Sequence, residues 1–576
     1  MKQLMLGNEA IARGLYEAGV KVISSYPGTP STEITEVSAK YDEMYCEWAP
    51  NEKVAAEVAI GASIAGARSF CAMKHVGLNV AADPLYTASY TGVNAGMVIG
   101  VADDPGMHSS QNEQDSRHHA IAAKLAMLEP SDSAECTRFA KLAYEISEKF
   151  DTPVIIRLTT RMAHSRSLVE MGERVEAETK EFPKNPQKYV MMPAMAIKRH
   201  VIVEQRMLDL AAWAETAEIN VAEYNEGAKI GIITAGDCYQ YAKEALGDKA
   251  NYLKLGMVNP LPAELILNFA KKCDSVVVFE ELDPIIENHC KILGLNVKGK
   301  EIFGLLGEFS QRTVREKLLG ETTETIKADV NIIPRPPVLC AGCPHRSVFF
   351  ALKSLGCNVS GDIGCYTLGA LAPLSSIDTC ICMGASVSAL HGMSKARGEE
   401  FSQKSVAVIG DSTFIHSGIT GIIDIAYNKG ISTVIVLDNS ITGMTGHQQN
   451  PTTGYTIKGD PTSAVDLEAL AKACGIKSVC VVDSYNIEEV KAAVAAELQK
   501  PEPSMIIARK PCVLLKTTPH KPALKVDSDK CRGCKACMRI GCPAISMRDK
   551  KAVIDFTQCV GCGVCEQLCK FGAIEE

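Results

Sequence analysis

Two cysteine runs near the C-terminus have the residue type and spacing of metal ligands. The runs contain Cys531, Cys534, Cys537 and Cys542, then Cys559, Cys562, Cys565 and Cys569. Three thiolates in C-x-x-C spacing can hold three irons of one cubane, and a more distant cysteine completes it. Zinc, the alternative metal, favours two separated cysteine pairs per site. The runs therefore predict two 4Fe–4S clusters, which store and pass electrons.

The residues around these cysteines, 522–576, resemble the α+β fold of two-cluster bacterial ferredoxins. In those proteins the fourth cysteine of each run binds the other cluster. Two features depart from the pattern: four residues separate Cys537 from Cys542 instead of three, and Lys570 replaces the proline that usually follows the last cysteine. Both affect local geometry and reduction potential, and neither removes a ligand.

Two apolar segments, "VAVIGDSTF" and "TVIVLDNS", predict buried strands that end in polar residues. Gly410, Asp411 and Ser412 follow the first strand, and Asn439 follows the second. Ligands of parallel sheets bind at the carboxyl ends of strands, where Mg²⁺ could join these oxygen atoms to a phosphate and a glycine lets the backbone approach closely. The pair resembles the motif of thiamine diphosphate enzymes. That likeness implies metal ligation by Asp411, Asn439 and the carbonyl of Ile441.

The overall composition is that of a globular protein without a nucleic-acid or membrane signature. The chain has 576 residues, of which 46% are hydrophobic and 22% charged, and a net charge of −8. This mix lets several domains bury apolar cores, and the lack of a basic block argues against nucleic acid as a partner. No apolar run approaches the ~20 residues of a membrane span, and the N-terminus predicts an amphipathic helix, not a signal peptide. We therefore expect a cytoplasmic protein whose 23 cysteines are better evidence for metal binding or catalysis than for disulfides, with most of the fifteen outside the tail serving as small buried hydrophobes.

Strand and helix patterns alternate along most of the chain, which predicts parallel sheets covered by helices. Two proline-containing segments, "NIIPRPPVLC" and "KTTPHKPALK", predict linkers. The expected fold class is α/β, with three parallel-sheet domains and a small α+β tail. The expected ranges are 1–180 for the first domain, 181–228 for a helical linker region, 229–330 for the second domain, 331–516 for the third and 522–576 for the cluster domain.

Six further segments, three in the first and three in the third predicted domain, resemble the 2-oxoacid:ferredoxin oxidoreductases, most closely the large subunits of the indolepyruvate type. These segments are "SYPGTPSTE", "KHVGLNVAADPL", "DDPGMHSSQNEQDSR", "CAGCPHR", "GDIGCYTLG" and "MTGHQQNP". The resemblance implies that the first and third domains bind thiamine diphosphate. It also implies that the second domain is like the C-terminal domain of transketolase.

The same resemblance implies roles for three residues outside the diphosphate motif. Glu52, at the start of a small-residue helix, matches the glutamate that protonates the aminopyrimidine of the cofactor. From the residues alone, Glu52 could also simply complement a helix dipole, and Glu57 competes for the role. Thr29 matches a threonine beside the substrate. Arg117 is the nearest candidate for an arginine that binds the substrate carboxylate, with a surface ion pair as the alternative.

The family also implies a third 4Fe–4S cluster, held by a C-x-x-C pair, a cysteine further along and a late cysteine. The matching positions are Cys340, Cys343, Cys365 and Cys512. Cys380 or Cys382 could replace Cys512. From the residues alone, the C-x-x-C pair could instead be a zinc or redox pair, with the other two cysteines as buried thiols.

The reaction implied by the resemblance is oxidative decarboxylation of aryl 2-oxoacids, such as indolepyruvate or phenylpyruvate, to an acyl-CoA with reduction of ferredoxin. Thiamine diphosphate, Mg²⁺ and the clusters would be cofactors, and coenzyme A a co-substrate. The family's small gamma module is not found in the sequence, which implies a separate small subunit and two copies of each chain. Alternatives are a pyruvate or branched-chain substrate, an electron-transfer subunit with an inactive thiamine fold, and a non-oxidative decarboxylase. Glu52, Asp411 and Asn439 argue against the inactive fold, and the cluster cysteines argue against the non-oxidative enzyme.

Overall fold

Hydrophobic strands that end in polar loops organise both parts of the chain. The computed structural model describes residues 1–322 and 336–576, which fall into two units, Met1–Asp329 and Val330–Glu576. The predicted domain boundary at 330/331 and the first half of the predicted linker 331–340 lie outside the described residues. The predicted α/β class, with parallel sheets and a small antiparallel cluster domain, is confirmed.

The first unit contains a seven-stranded sheet, a five-stranded sheet and a two-stranded ribbon. Its strands are β1 (Lys2–Leu6), β2 (Val22–Ser25), β3 (Tyr45–Trp48), β4 (Ser69–Lys74), β5 (Met97–Asp103), β6 (Ala126–Leu128), β7 (Val154–Thr159), β8 (Arg166–Glu170), β9 (Val221–Glu223), β10 (Ile230–Ala235), β11 (Ala250–Leu255), β12 (Met257–Asn259), β13 (Ser275–Phe279) and β14 (Val297–Lys298). The larger sheet has the order β12-β6-β7-β5-β4-β2-β3 and the smaller one β14-β13-β10-β11-β9.

The central strands of the larger sheet are buried along their whole length. β4, β5 and β7 have no exposed residue, and β5 pairs in parallel with both of the others. Continuous apolar runs are typical of parallel strands that helices cover on both faces. The apolar runs in "SFCAMKHVG", "GMVIGVADDPG" and "TPVIIRLT" form these three strands, in agreement with the predicted parallel sheet.

Two strands of the first unit, β1 and β12, were not predicted from the sequence. The N-terminal segment begins as a strand, since β1 pairs antiparallel with β8 and the amphipathic helix starts only at Gly7. Strand β12 follows the five-stranded sheet in sequence but pairs antiparallel with β6 of the seven-stranded sheet. The two main sheets of this unit are thus joined by strand exchange as well as by side-chain packing.

Helices follow most of these strands and cover the sheets. In the first unit they are α1 (Gly7–Glu17), α2 (Thr32–Ser38), α3 (Glu52–Ile64), α4 (His75–Val80), α5 (Ala82–Thr91), α6 (Arg117–Ala123), α7 (Ser133–Phe150), α8 (Thr160–His164), α9 (Pro186–Tyr189), α10 (Pro193–Ala214), α11 (Gly236–Leu246), α12 (Ala263–Ala270), α13 (Ile285–Ile292), α14 (Lys300–Phe303) and α15 (Gln311–Val314). In the second unit they are α16 (His345–Leu355), α17 (Ala385–Arg397), α18 (Glu399–Ser402), α19 (Asp411–Thr413), α20 (Ile419–Tyr427), α21 (Leu467–Ala473) and α22 (Ile487–Glu497). Within residues 1–322 and 336–576, no helix is both long and apolar enough to cross a membrane.

The second unit is built on one six-stranded sheet in which every pairing is parallel. Its strands are β15 (Asn358–Gly361), β16 (Thr379–Cys380), β17 (Ser405–Gly410), β18 (Thr433–Asp438), β19 (Ser478–Asp483) and β20 (Ser504–Arg509). The order is β16-β15-β17-β18-β20-β19. The prediction of neighbouring strands at "VAVIGDSTF" and "TVIVLDNS" is confirmed, because β17 pairs with β18.

The cysteine-rich tail forms two short antiparallel pairs. Its strands are β21 (Lys525–Val526), β22 (Ile545–Arg548), β23 (Lys551–Ile554) and β24 (Ile574–Glu575), with β21 pairing β24 and β22 pairing β23. Leu524, Ile540 and Ile574 of the tail belong to the same hydrophobic core as Phe349 and Val406 of the parallel-sheet domain. The tail is therefore packed onto that domain.

Candidate functional site

Four predicted ligands follow strands that end at one edge of the six-stranded sheet. Strands β15, β17, β18 and β20 run in the same direction, so their carboxyl ends share that edge. The residues in the segments after them are, in order, Cys365, Asp411, Asn439 and Cys512. The backbone N–H of Cys512 donates to the carbonyl of Asn439 at 2.9 Å, which joins two of these segments directly. Cysteine and oxygen ligands thus meet where parallel sheets bind their ligands.

Asp411 is a buried carboxylate without a cationic partner in the described residues. It is 2% exposed, accepts the backbone N–H of Ser412 at 2.7 Å and lies 3.5 Å from the hydroxyl of Thr452. Burial, followed by the nearby Asp438 carboxylate, raises the pKa of Asp411 to about 8. A buried charge of this kind is costly unless a cation compensates it. The oxygen donors of Asp411 and Asn439 fit Mg²⁺, which prefers such ligands.

Ser412 and Ile441 lie in the same two loops as these oxygen donors. Ser412 is 7% exposed and accepts a hydrogen bond from the hydroxyl of Thr442 at 3.0 Å, which ties the loop after β18 to the start of α19. Ile441 is 3% exposed, and its N–H donates to the side-chain oxygen of Asn439 at 3.3 Å. The structure therefore brings all of the residues of the predicted diphosphate and metal motif together.

His345 and Tyr366 pack beside the same motif. Nε2 of His345 lies 3.5 Å from Nδ2 of Asn439, and its ring meets the ring of Tyr366 edge-on at 5.9 Å between centroids. Burial lowers the pKa of His345 to about 4, so its imidazole is neutral at neutral pH. A Cβ on Gly410 would lie 2.5 Å from the Tyr366 ring. Gly410 therefore has a second reason to be glycine. Besides the close diphosphate approach predicted from sequence, it leaves room for the Tyr366 ring.

The four cysteines proposed for a third cluster are neighbours. Cys340 and Cys343 lie just before α16, and the N–H of Cys343 donates to the carbonyl of Cys340 at 3.1 Å. Burial, then the nearby thiols of Cys512 and Cys340, raise the pKa of Cys365 to about 11. Burial also raises the pKa of Cys343 to about 12, with smaller contributions in the same direction from Cys340 and Cys365.

The alternative cysteines have different neighbours. Burial, and after it the carboxylate of Asp362, raises the pKa of both Cys380 and Cys382. Their thiols interact with each other and with Asp362, and not with the four cysteines above. The structure therefore groups Cys512, and neither alternative, with the C-x-x-C pair.

Each predicted tail cluster has a cavity of its own. One cavity is lined by the tail cysteines Cys542, Cys559, Cys562 and Cys565, together with Cys343 of the preceding domain. The other is lined by the tail cysteines Cys531, Cys534, Cys537 and Cys569. Three cysteines of one run and the fourth of the other face each cavity, which is the crossed arrangement expected of two cubanes. The donor sets therefore fit two 4Fe–4S clusters.

In the first unit, Glu52 is a buried carboxylate at the start of α3. It is 4% exposed, and Asn51 caps the helix beside it. A Cβ on Gly77 would lie 2.5 Å from Oε1 of Glu52, so the glycine leaves the space that this carboxylate occupies. Glu57, the competing candidate, is exposed and forms an ion pair with Lys53 on the helix surface. The structure thus separates a buried glutamate from a solvated one.

The predicted substrate loop follows β2. Thr29 is partly exposed and precedes a cis peptide bond to Pro30. A Cβ on Gly28 would lie 3.2 Å from Cβ of Lys74, the last residue of β4, so the loop packs closely on that strand. Because β2 lies between β3 and β4, this loop and the start of α3 follow neighbouring strands at one edge of the sheet.

The surroundings of Arg117 do not favour the predicted substrate role. Its guanidinium is 1% exposed and is enclosed by ion pairs with Asp115 at 2.6 Å and Glu280 at 2.5 Å. It also donates to the carbonyls of Glu281 and Asp283 at 3.0 and 2.9 Å. These partners leave the side chain unavailable to a substrate carboxylate. Arg117 instead ties the segment before α6 to the segment that follows β13.

Replacing Arg117 by methionine is expected to lower the free energy of unfolding by about 3–5 kcal/mol, because Asp115 and Glu280 lose their buried counter-ion. Thermal or urea unfolding measures the change. The control is Arg312→Met, which breaks an exposed pair with Glu316 at 2.5 Å and is expected to cost less than about 1 kcal/mol. A raised KM for the 2-oxoacid with unchanged stability would contradict this structural role.

Sequence reasoning did not single out His345, Arg346 or Tyr366. All three lie in segments that carried the family resemblance, "CAGCPHR" and "GDIGCYTLG", but only the cysteines there were given roles. Two polar residues placed shortly after a C-x-x-C pair, at the start of a helix, were the available signal. His345 is 3% exposed and Arg346 is 4% exposed, so both of these polar residues are buried in the protein.

Comparisons with known proteins agree with this arrangement. Residues 13–226 match the family described as pyruvate flavodoxin/ferredoxin oxidoreductase, thiamine diP-binding. Residues 362–508 match the C-terminal TPP-binding domain of thiamine pyrophosphate enzymes, and residues 523–570 match the 4Fe-4S dicluster domain. The predicted thiamine diphosphate-binding and 4Fe–4S domains are thereby confirmed.

Full-length relatives carry one name. The chain is 40% identical over 616 residues to the indolepyruvate oxidoreductase subunit IorA of Archaeoglobus fulgidus. The alignment covers 100% of the chain and 97% of the relative. It is 40% identical to IorA of Pyrococcus horikoshii, again over 100% of the chain and 97% of the relative. A solved 2-oxoglutarate:ferredoxin oxidoreductase from Magnetococcus marinus matches 55% of the chain and 65% of its own, at 18% identity and a TM-score of 0.47. On the full-length relatives and the domain matches together, the chain belongs to the indolepyruvate oxidoreductase IorA subunits, within the thiamine-dependent 2-oxoacid:ferredoxin oxidoreductases.

Proposed function

We propose that the chain catalyses the oxidative decarboxylation of aryl 2-oxoacids of the indolepyruvate and phenylpyruvate type. The observation that carries this proposal is the full-length identity of 40% to relatives named indolepyruvate oxidoreductase. In the balanced reaction, a 2-oxoacid, coenzyme A and two oxidised ferredoxins give an acyl-CoA, carbon dioxide, two reduced ferredoxins and a proton.

Thiamine diphosphate, when bound, supplies the carbon centre that cleaves the bond between the keto carbon and the carboxylate. In our proposal Asp411, Asn439 and the carbonyl of Ile441 hold Mg²⁺, and Ser412 and the backbone at Gly410 receive the diphosphate. The convergence of these residues at one sheet edge and the uncompensated burial of Asp411 support the assignment.

Glu52 is proposed to hold the proton that activates the aminopyrimidine, and Thr29 to contact the substrate. Burial of the Glu52 carboxylate against Gly77 supports the first role, because a shielded acid exchanges its proton with a bound group in preference to water. The position of Thr29 in a loop at the same sheet edge as Glu52 supports the second.

The cysteines at 340, 343, 365 and 512 are proposed to hold a third 4Fe–4S cluster, between the thiamine site and the tail. The clusters transfer single electrons when present. Cys343 lines the cavity of Cys542, Cys559, Cys562 and Cys565. This shared wall supports an order in which, with clusters bound, that tail site would lie next to the third cluster and the site of Cys531, Cys534, Cys537 and Cys569 would lie farther along the electron path.

Further partners follow from the same proposal. The relatives are each named as a subunit, so we infer a small partner subunit, with two copies of each chain. Ferredoxin would be the electron acceptor, coenzyme A the acyl acceptor and the cytoplasm the location. No nucleic acid or membrane partner is proposed.

The deciding experiment is anaerobic, coenzyme A-dependent reduction of ferredoxin or viologen by the complete complex. Indolepyruvate and phenylpyruvate are expected to exceed pyruvate and 2-oxoisovalerate in kcat/KM by at least about tenfold. A preference for pyruvate or 2-oxoisovalerate would overturn the aryl specificity. Absence of turnover with every 2-oxoacid would overturn the proposed function.

Replacing Cys512 by alanine is expected to remove the iron and acid-labile sulfide of one cubane from anaerobically reconstituted protein, because one of its four thiolate ligands is lost. The control is Cys380→Ala, which is expected to leave the content at that of three cubanes. Iron and sulfide analysis with EPR of the reduced protein measures both. A wild-type content that fits only two cubanes would contradict the third cluster, and loss of a cubane in the control alone would transfer the ligand role to Cys380.

A further inference from the structure

A buried arginine joins the thiamine diphosphate-type domain to the cluster tail. Arg346 is the second residue of α16 and is 4% exposed. On its own side it donates to the carbonyls of Leu339 and Cys340, the latter at 3.0 Å. On the tail side it donates to the carbonyls of Ile540, at 3.2 Å, and Gly541. Every one of these four partners is a neutral backbone oxygen.

No carboxylate in the part of the chain that the structure describes forms an ion pair with Arg346. A guanidinium stays protonated in proteins, and burying a charge without an opposite charge is costly. The groups near it that become anionic are cysteines on both sides, Cys340 and Cys343 before α16 and Cys542 and Cys562 in the tail. Arg346 also lines the cavity of the adjacent tail cluster together with Cys343 and Cys542.

We propose that Arg346 is the shared counter-ion of the two clusters on either side of it, and that it sets their reduction potentials. The proposal rests on the function proposed above, and specifically on a cluster at the C-x-x-C pair. With both clusters bound, each transfer would oxidise the inner cluster by one electron and reduce the tail cluster by one electron, with no bond or proton changing place. Because reduction adds one negative charge to a cluster, a fixed buried cation beside it stabilises the reduced form.

The unusual spacing before Cys542 belongs to the same contact. The additional residue in that interval lengthens the segment that supplies the carbonyls of Ile540 and Gly541 to Arg346. Gly541 has φ of 67°, and a Cβ on it would lie 2.8 Å from Cδ of Pro373 and 3.4 Å from Nη1 of Arg346. Glycine thus permits both the left-handed turn and the close approach of the two domains, so the departure from ferredoxin spacing is explained by docking on Arg346.

The test is an EPR-monitored redox titration of the full chain, reconstituted with its partner subunit, as wild type, Arg346→Gln and Arg346→Lys. In Arg346→Gln the equilibrium constant for reduction of the adjacent tail cluster is expected to fall by about tenfold, which is about 59 mV for a one-electron couple. The distal cluster is expected to change less, and Arg346→Lys is expected to stay close to wild type because it keeps the charge.

Arg539→Gln is the matched control. It removes an arginine from the short tail helix Ala536–Ile540, which also contains the Ile540 carbonyl that Arg346 contacts. The Arg539 side chain, however, is exposed and lies over the ring of Phe350 at 5.3 Å. Water screens an exposed charge, so its removal is expected to leave the potentials unchanged. A shift as large in Arg539→Gln as in Arg346→Gln would overturn the role of the buried arginine.

The remaining outcomes also decide the proposal. Unchanged potentials in Arg346→Gln, with all clusters present, would overturn it. Arg346→Gln could also lose the tail cluster. In that case, a cluster kept at wild-type potential in Arg346→Lys supports a need for positive charge at this position. Loss of the cluster in both variants overturns the electrostatic role. Absence of a third cluster signal in wild type would instead mark failure of the proposed function, separately from any effect of Arg346.

Discussion

Replacement of Glu52 by glutamine is expected to reduce 2-oxoacid-dependent turnover by about 10²–10⁴-fold, the usual contribution of a positioned acid or base. The amide keeps the size of the side chain, which is 4% exposed, but it cannot hold or release a proton at the same atom. KM is expected to change little, since the role that we propose for Glu52 is to act on the cofactor and not on uniform substrate binding. Viologen reduction under anaerobic conditions measures kcat and KM together.

The matched control for Glu52 lies on the same helix. Glu57→Gln removes an exposed carboxylate that pairs with Lys53, and its turnover is expected to equal that of wild type. Iron content and EPR signals are expected to be unchanged in both variants, because the cluster ligands lie elsewhere in the chain. If turnover survives in Glu52→Gln and falls in Glu57→Gln, the catalytic proton belongs to Glu57, and our assignment to Glu52 is refuted.

The parts of the fold that the sequence predicts well are those with a continuous local signal. Strands β4, β5 and β7 are apolar along their whole length, so their burial and parallel pairing follow from composition. The three-residue strand β12 carries no such signal. Its pairing with β6 depends on a register between segments more than a hundred residues apart, which local periodicity does not encode.

The same distinction holds in the candidate site. Asp411 and Asn439 could be predicted because each directly follows a buried strand, and parallel strands align their ends. Arg117 was misjudged because its burial depends on Glu280, which is 163 residues further along the chain. Arg346 was missed for a similar reason, since its tail partners Ile540 and Gly541 are 194 and 195 residues away. Burial of a charged side chain is a long-range property that its own sequence neighbourhood does not reveal.

Burial of Asp411 links the stability of the folded chain to pH and to binding of a cation. Asp411 has a folded-state pKa raised from 3.8 to about 8 by burial, so the folded chain without cofactor holds more protons there than the unfolded chain does. Stability therefore falls as pH rises between these two values, since the unfolded state binds fewer protons. A divalent cation reverses the preference by stabilising the carboxylate.

Replacement of Asp411 by asparagine is accordingly expected to have opposite effects on the empty and loaded chain. Without cofactor, the variant is expected to be at least as stable as wild type at pH 7, and its stability is expected to decline less between about pH 4 and about pH 8, because the buried carboxylate is gone. With Mg²⁺ and thiamine diphosphate at 100 times the wild-type Kd, it is expected to lack the ~2.7 kcal/mol of stabilisation that ligand binding gives to wild type. Thermal unfolding with and without cofactor at several pH values measures both effects.

The comparison variant for Asp411 is Asp483→Asn, which removes a partly exposed carboxylate paired with Lys510 at 2.7 Å at the end of the edge strand β19 of the same sheet. It is expected to retain the cofactor-induced shift in Tm and the wild-type dependence on pH. Turnover is expected to be lost in Asp411→Asn and kept in Asp483→Asn, since only Asp411 is proposed to supply a charged oxygen to the metal. A full cofactor-induced shift in Asp411→Asn would show that the metal is held elsewhere, and a destabilised cofactor-free variant would show that this carboxylate is compensated inside the protein already.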